Sequence, residues 1–199
     1  MYRPRAAVRV LTAALAVFLL AACSHPKKPG VHGKADVEAS RTWSDRSAAL
    51  LSRGDHGEGL AAAEKAIALD ARNTMAWNNK SVALIGLGRH QQALSAAERA
   101  TEVAPQNAVA WSNKAVALRQ LGRLREAVAS LERAVKLDPQ NAVLWYNRAC
   151  YLALAGNGEE ALASLTTAVG LAPALKAAAS QEDELINIRN DIRFRKIVE

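Results

Sequence analysis

The chain has 199 residues, half of them hydrophobic, and a formal net charge of +7. Eleven glycines and six prolines are too few for a collagen-like or Pro/Gly-rich disordered chain, and two cysteines cannot make a disulfide-dense scaffold. The length suits one compact domain, and a composition rich in alanine and leucine favours helices.

The N-terminus predicts a secretory leader over residues 1–22. Three arginines precede an apolar run, residues 10–22, which is shorter than the roughly 20 residues that a membrane-spanning helix needs. The run ends in LAAC, which resembles a bacterial lipobox and implies lipidation of Cys23. The resemblance further implies an outer-membrane destination in a cell with two membranes, because Ser24 is not an aspartate. An ordinary signal peptide with a chance cysteine is the alternative.

Without the leader, 23 basic residues remain against 19 acidic ones, and the net charge falls to +4. This charge and the lack of an aromatic platform argue against a nucleic-acid partner. Residues 23–40 lack apolar periodicity, and we expect a lipidated cysteine followed by a flexible tether. His25 and His32 lie in this stretch, where solvated side chains are the simpler interpretation than metal ligands.

A 34-residue period organises the rest of the chain. The four tryptophans recur at that interval: Trp43, Trp77, Trp111 and Trp145. A leucine follows each tryptophan by seven residues, and a glycine follows each leucine by four: Gly54, Gly88, Gly122 and Gly156. The leucine shares a helical face with the tryptophan, and the glycine permits the positive φ of a helix-ending turn. The period therefore predicts a tandem array of helical hairpins.

This pattern resembles the tetratricopeptide repeat (TPR) family. The resemblance implies an all-α right-handed solenoid of four helix-turn-helix repeats, at residues 41–73, 74–107, 108–141 and 142–173. Residues 174–199 carry spaced apolar residues among charges, and we expect them to form C-terminal capping helices. The first repeat departs most from the family pattern, with Gly59 in place of alanine and Ala71 in place of proline. We expect it to be the least stable repeat.

A column of amide side chains follows the tryptophans by two residues: Asn79, Asn113 and Asn147. An amide both donates and accepts hydrogen bonds, so a ladder of them could hold the backbone of an extended peptide. TPR proteins with an asparagine ladder in the concave groove support this interpretation. The alternative is that the three asparagines are solvated residues shared by descent of the repeats.

A second column is cationic: Arg46, Lys80, Lys114 and Arg148. These side chains could attract an acidic segment or a carboxylate terminus of a partner. The alternative is that their aliphatic stems cover apolar surface while the charges reach water. The neighbouring residues are apolar or small, and they favour the second interpretation.

No catalytic constellation is recognisable in the sequence, and we expect no enzymatic activity, cofactor or metal. His56 and His90 occupy equivalent repeat positions, which accounts for both. Cys150 takes the place of Val82 and Val116 and is expected to be a small, half-buried apolar residue.

These features predict a lipid-anchored, non-enzymatic module that binds a peptide or helical segment of a cell-envelope partner in the concave groove. By analogy, it would aid the assembly of an envelope complex. Two alternatives remain open: a self-associating structural scaffold, and a regulatory accessory subunit of a cell-wall or secretion enzyme.

Overall fold

The computed structural model describes residues 33–199, so the predicted leader and Cys23 lie outside the described residues. Within that range the chain forms α-helices, one short 3-10 helix and no strand. Eight helices make four hairpins: α1 (Lys34–Ser52) with α2 (His56–Leu69), α3 (Thr74–Gly86) with α4 (His90–Val103), α5 (Ala108–Gln120) with α6 (Leu124–Leu137), and α7 (Ala142–Leu154) with α8 (Gly158–Leu171). This arrangement confirms the all-α solenoid of four repeats.

Glycine turns join the two helices of every hairpin. The four turn glycines have φ between 71° and 83°, a left-handed conformation that strains any residue with a Cβ atom. In the second repeat the amide of Gly88 donates to the carbonyl of Ile85, and the amide of Arg89 donates to that of Leu84. This pair of bonds is a Schellman motif, which satisfies the last free carbonyls of α3. The turn predicted from the glycine spacing is thereby confirmed.

The loops between repeats are held by an asparagine and a tryptophan. Asn73, Asn107 and Asn141 cap α3, α5 and α7, each accepting a hydrogen bond from a backbone amide in the first helical turn. The indole of Trp111 donates to the carbonyl of Pro105 at 2.8 Å, and Trp77 and Trp145 make the equivalent bond. Each tryptophan therefore fastens the start of its helix to the preceding loop.

Small residues let the helices pack closely. Alanines such as Ala93, Ala127 and Ala161 are fully buried at matched positions of successive second helices. Leu84, Leu118 and Leu152, the leucines that follow the tryptophans by seven residues, are also buried. The first helices pack side by side, α1 on α3 and α3 on α5, and form one face of the array. We call this surface, lined by α1, α3, α5 and α7, the A-helix face.

The predicted tether, residues 23–40, extends too far toward the C-terminus, because its last seven residues are helical. Helix α1 begins at Lys34, so residues 34–40 belong to the first repeat. Ser40 in this stretch is fully buried, and its hydroxyl donates to the carbonyl of Ala66 at 2.8 Å. The stretch lacks apolar periodicity because its buried contact is made by a serine, and the sequence therefore read as a linker.

The C-terminal residues form short helices rather than one continuous cap. Helix α9 (Leu175–Gln181) begins like a fifth first helix, with Ala179 fully buried 34 residues after Trp145. A 3-10 helix (Asp183–Leu185) and α10 (Ile192–Val198) follow. Leu185, Ile188 and Phe194 are buried, whereas Ile186 and Ile192 are exposed. No helix within residues 33–199 has the length and hydropathy needed to cross a membrane.

Candidate peptide-binding face

The asparagine column lies on the A-helix face, but its three members do not share one environment. The side-chain amide of Asn79 donates to the carbonyl of Ser44 on α1 at 2.8 Å. Asn79 therefore holds the second repeat to the first, and this part of the predicted ladder is structural. Sequence reasoning could not separate it from the others, because the repeat places the same residue type at the same position.

Asn113 and Asn147 differ from Asn79 in their hydrogen bonding. Both side chains are half-buried, and neither makes a hydrogen bond to any residue in the range 33–199. They occupy equivalent positions on α5 and α7, one repeat apart. The amides of these two residues are thus available to a ligand backbone, which can satisfy both their donors and their acceptors.

Exposed apolar side chains flank the asparagines. Met75, Val109 and Val143 precede the three asparagines by four residues and are 40%, 57% and 57% exposed. Residues four apart lie on the same helical face, so each pair presents an apolar group beside an amide. The combination suits an extended or helical segment that offers both backbone groups and apolar side chains.

The cationic column faces a different direction, and three of its four members pair with carboxylates of the protein. The ammonium of Lys80 lies 2.9 Å from the carboxylate of Glu64, and that of Lys114 lies 3.6 Å from Glu98, each on the second helix of the preceding repeat. In the fourth repeat Arg148 pairs with Glu132 and Glu160, at 3.4 Å and 3.0 Å.

Three of the four cations, Arg46, Lys80 and Lys114, lie over the tryptophan rings of their own repeats. Arg46 is 5.2 Å from the ring centre of Trp43, and Lys114 is 5.6 Å from that of Trp111. Successive helical residues point about 100° apart, which turns the column away from the neighbouring asparagines. The structure therefore favours a packing role for these side chains over contact with an acidic ligand.

The A-helix face of the fourth repeat is covered by residues that the sequence did not single out. Cys150 is 3% exposed, whereas Val82 at the equivalent position of the second repeat is 37% exposed. Burial, together with the nearby carboxylate of Glu182, raises the pKa of the Cys150 thiol to about 12. Burial also raises the pKa of Tyr146, with further contributions from Cys150 and from Glu182, whose carboxylate lies 3.5 Å from the Tyr146 hydroxyl. Cys150 is thus a buried thiol rather than a nucleophile.

Arg119 is the cation that faces this covered surface. It forms an ion pair with Glu184 and lies 5.6 Å from the ring centre of Tyr151. Burial raises the pKa of Tyr151 to about 12 although Arg119 opposes the shift. Arg119 could have been found in the sequence, because it replaces Ile85 of the second repeat at the equivalent position of the period.

The histidines are not brought together. His56 and His90 begin α2 and α4, and the Nδ1 atom of each is buried without a hydrogen-bond partner among the described residues. A Cβ atom at Gly86 would lie 2.5 Å from the His56 ring, so glycine there allows the ring to pack against the next repeat. The described part of the chain holds no group of three side chains suited to a metal ion.

Hairpins with glycine turns, stacked so that their first helices line one face, define a helical repeat protein. The tetratricopeptide repeat profile matches residues 45–108, 82–142 and 112–176, which together span more than half of the chain. The chain therefore belongs to the tetratricopeptide repeat family. Comparison with curated protein sequences gives no match.

Solved structures with the same fold include three whose sequences are distant. The fragment of MamA from residue 41 to the end, from Desulfovibrio magneticus RS-1, has a TM-score of 0.60 and 20% identity, over 68% of this chain and 76% of that one. YrrB, described as a TPR protein with an unusual peptide-binding site, has a TM-score of 0.60 and 19% identity, over 78% and 80%. The first TPR of Spaghetti (RPAP3), bound to the HSP90 peptide SRMEEVD, has a TM-score of 0.57 and 21% identity, over 61% and 95%.

Proposed function

We propose that this protein is a lipid-anchored, non-enzymatic interaction module that binds a segment of a cell-envelope protein on its A-helix face. Cys23 is the proposed lipid attachment site, and the outer membrane is the proposed location in a cell with two membranes. Anchoring would confine the module to a surface and raise its effective concentration toward partners there. The role in assembling an envelope complex is part of this proposal.

The observation that carries the binding function is the pair of amides on Asn113 and Asn147. Asn79 at the equivalent position donates its side-chain amide to a carbonyl of the protein. Asn113 and Asn147 have no such partner among residues 33–199 and lie beside the exposed Val109 and Val143. A bound peptide would replace water as the hydrogen-bond partner of both amides and would cover the valines.

Site-specific photo-crosslinking in cells tests this function. A photoreactive amino acid replaces Val109 on the A-helix face and, as a control, Arg125, which is exposed on α6 of the same repeat. We expect discrete adducts from position 109 and none from position 125. Asn113→Ala combined with Asn147→Ala should reduce the adducts about tenfold, because each lost hydrogen bond contributes roughly 0.5–1.5 kcal/mol.

Asn79→Ala is the structural control for this experiment. It removes the bond to Ser44 and should lower the melting temperature, while the double variant leaves the melting temperature nearly unchanged. Adducts that are equal at both positions, or that persist in the double variant, would contradict binding on this face. The lipid anchor is tested separately: radiolabelled palmitate should label the parent chain and not Cys23→Ser.

A further inference from the structure

Side chains at equivalent positions of successive repeats show how exposed each part of the A-helix face is. Val82, Val116 and Cys150 occupy the same position on α3, α5 and α7. Val82 is 37% exposed and Val116 is half-buried, whereas Cys150 is 3% exposed. The difference arises from residues 182–187, which pack on α7 and which we call the acidic segment.

Three kinds of contact hold the acidic segment in place. Leu185 is completely buried and belongs to the main hydrophobic core. Glu184 pairs with Arg119, which projects from α5 of the third repeat. Asn187 donates its side-chain amide to the carbonyl of Ala153 on α7 at 3.1 Å. The segment therefore touches two first helices, as a ligand lying along this face would.

The packing of the first helices changes at the same place. Helix α3 packs directly against both α1 and α5, but α5 and α7 barely touch. Arg119 and Tyr151 reach toward each other from α5 and α7, and Glu184 completes the contact. The acidic segment packs on α7 and thus reaches α5 through the ion pair of Glu184 with Arg119.

We propose that the acidic segment is an internal ligand of the A-helix face, and that a partner segment with a carboxylate next to a leucine displaces it. The proposal rests on the proposed function, because it concerns regulation of the same binding face. Arg119 would pair with the partner's carboxylate in place of Glu184. The partner's leucine would fill the site that Leu185 leaves. Asn147, four residues before Tyr151, would then bind the partner's backbone.

Displacement is feasible because the polar contacts of the segment are few and partly solvated. The side chains of Arg119 and Glu184 are 30% and 19% exposed, and the bond from Tyr146 to Glu182 is long at 3.5 Å. A competing segment with the same chemistry would remake the ion pair and rebury the leucine site. In the absence of a partner, the internal ligand covers Cys150 and Tyr151 on α7, whereas Val143 and Asn147 on the preceding turns stay accessible.

The test uses the full chain carrying Cys23→Ser, in which Cys150 is the one remaining thiol. The rate at which a soluble disulfide reagent modifies Cys150 reports opening of the segment. A fluorescein-labelled peptide of residues 180–190, SQEDELINIRN, reports binding by fluorescence polarisation. Glu184→Lys should speed thiol modification and tighten peptide binding by about fivefold each, because it removes a partly buried ion pair.

Asp183→Lys is the matched control, because it makes the same change of charge at an exposed neighbouring residue. It should leave both measurements at the parent values. Arg119→Glu added to Glu184→Lys reverses the ion pair, and should restore slow thiol modification while abolishing binding of the labelled peptide.

Equal effects of Asp183→Lys and Glu184→Lys would overturn the proposal, as would fast thiol modification of Glu184→Lys without peptide binding. If Glu184→Lys unfolds by circular dichroism, the reversed pair decides: failure to recover slow modification overturns the proposal. The experiment uses purified protein and a defined peptide. Its result therefore stands apart from the crosslinking result in cells, on which the proposed function depends.

Discussion

Different kinds of interaction stabilise the two ends of the array. The fully buried side chains of α1 are all serines: Ser40, Ser44 and Ser47. The residues after α9 instead bury large apolar side chains: Leu185, Ile188 and Phe194. A hydrogen bond contributes about 1 kcal/mol net, whereas full burial of a large apolar side chain contributes about 1.5–3 kcal/mol. The N-terminal helix is therefore positioned by directional hydrogen bonds, whereas the residues after α9 are positioned by apolar burial.

The largest expected effect comes from removing the apolar anchor of the cap. Phe194 is 2% exposed and packs in the main core. Phe194→Ala should destabilise the protein by about 3 kcal/mol or more, because the rigid surroundings leave a cavity. Urea unfolding followed by circular dichroism measures the change. Ile192→Ala is the control. Ile192 is the first residue of the same helix and is 66% exposed, so this substitution should change stability little. Similar losses for both variants would show that Phe194 is not the anchor.

The same contrast explains which parts of the molecule could be predicted from the sequence. The hairpins, turns and register were predictable because Trp, Leu and Gly at the 34-residue period encode local structure in every repeat. The two ends of the array depart from the 34-residue period. The start of α1 and the fold of the acidic segment were therefore not predictable. The role of Asn79 was hidden for another reason: its partner is a backbone carbonyl on α1, and a carbonyl has no signature in the sequence.

At the N-terminal end, an asparagine links the cap of α3 to α1. Asn73 caps α3, and its side-chain amide also donates to the hydroxyls of Ser40 and Ser44, both at 2.9 Å. Asn107 caps α5 in the same way, but its side chain makes no further hydrogen bond within residues 33–199.

Asn73→Ala should therefore destabilise the protein by about 2 kcal/mol, and Asn107→Ala by about 1 kcal/mol. Urea unfolding gives both values, and hydrogen exchange should show faster exchange in α1 in the first variant alone. Equal losses of stability, with α1 unaffected, would mean that the two bonds to serine contribute nothing and that the cap accounts for the whole effect.

The smallest effect concerns the ion pairs on the outside of the cap. Arg193 donates to both carboxylate oxygens of Glu159 at 2.7 Å and also bonds Asp191. These bonds lower the pKa of Glu159 below its ordinary value and that of Asp191 to about 2. A lowered folded-state pKa means that the stabilisation is present above the ordinary carboxyl pKa of about 4 and is lost as the pH falls toward 2.

Arg193→Gln should accordingly lower the melting temperature slightly at pH 6, and the difference from the parent should vanish as the pH approaches 2. The effect is small because all three side chains reach solvent, where water and salt screen the charges. Arg195→Gln is the matched control, since Arg195 is exposed on the same helix. If the Arg193→Gln difference stays constant from pH 6 to pH 2, its cause is packing of the arginine stem rather than charge, and the cap would then depend on apolar contacts alone.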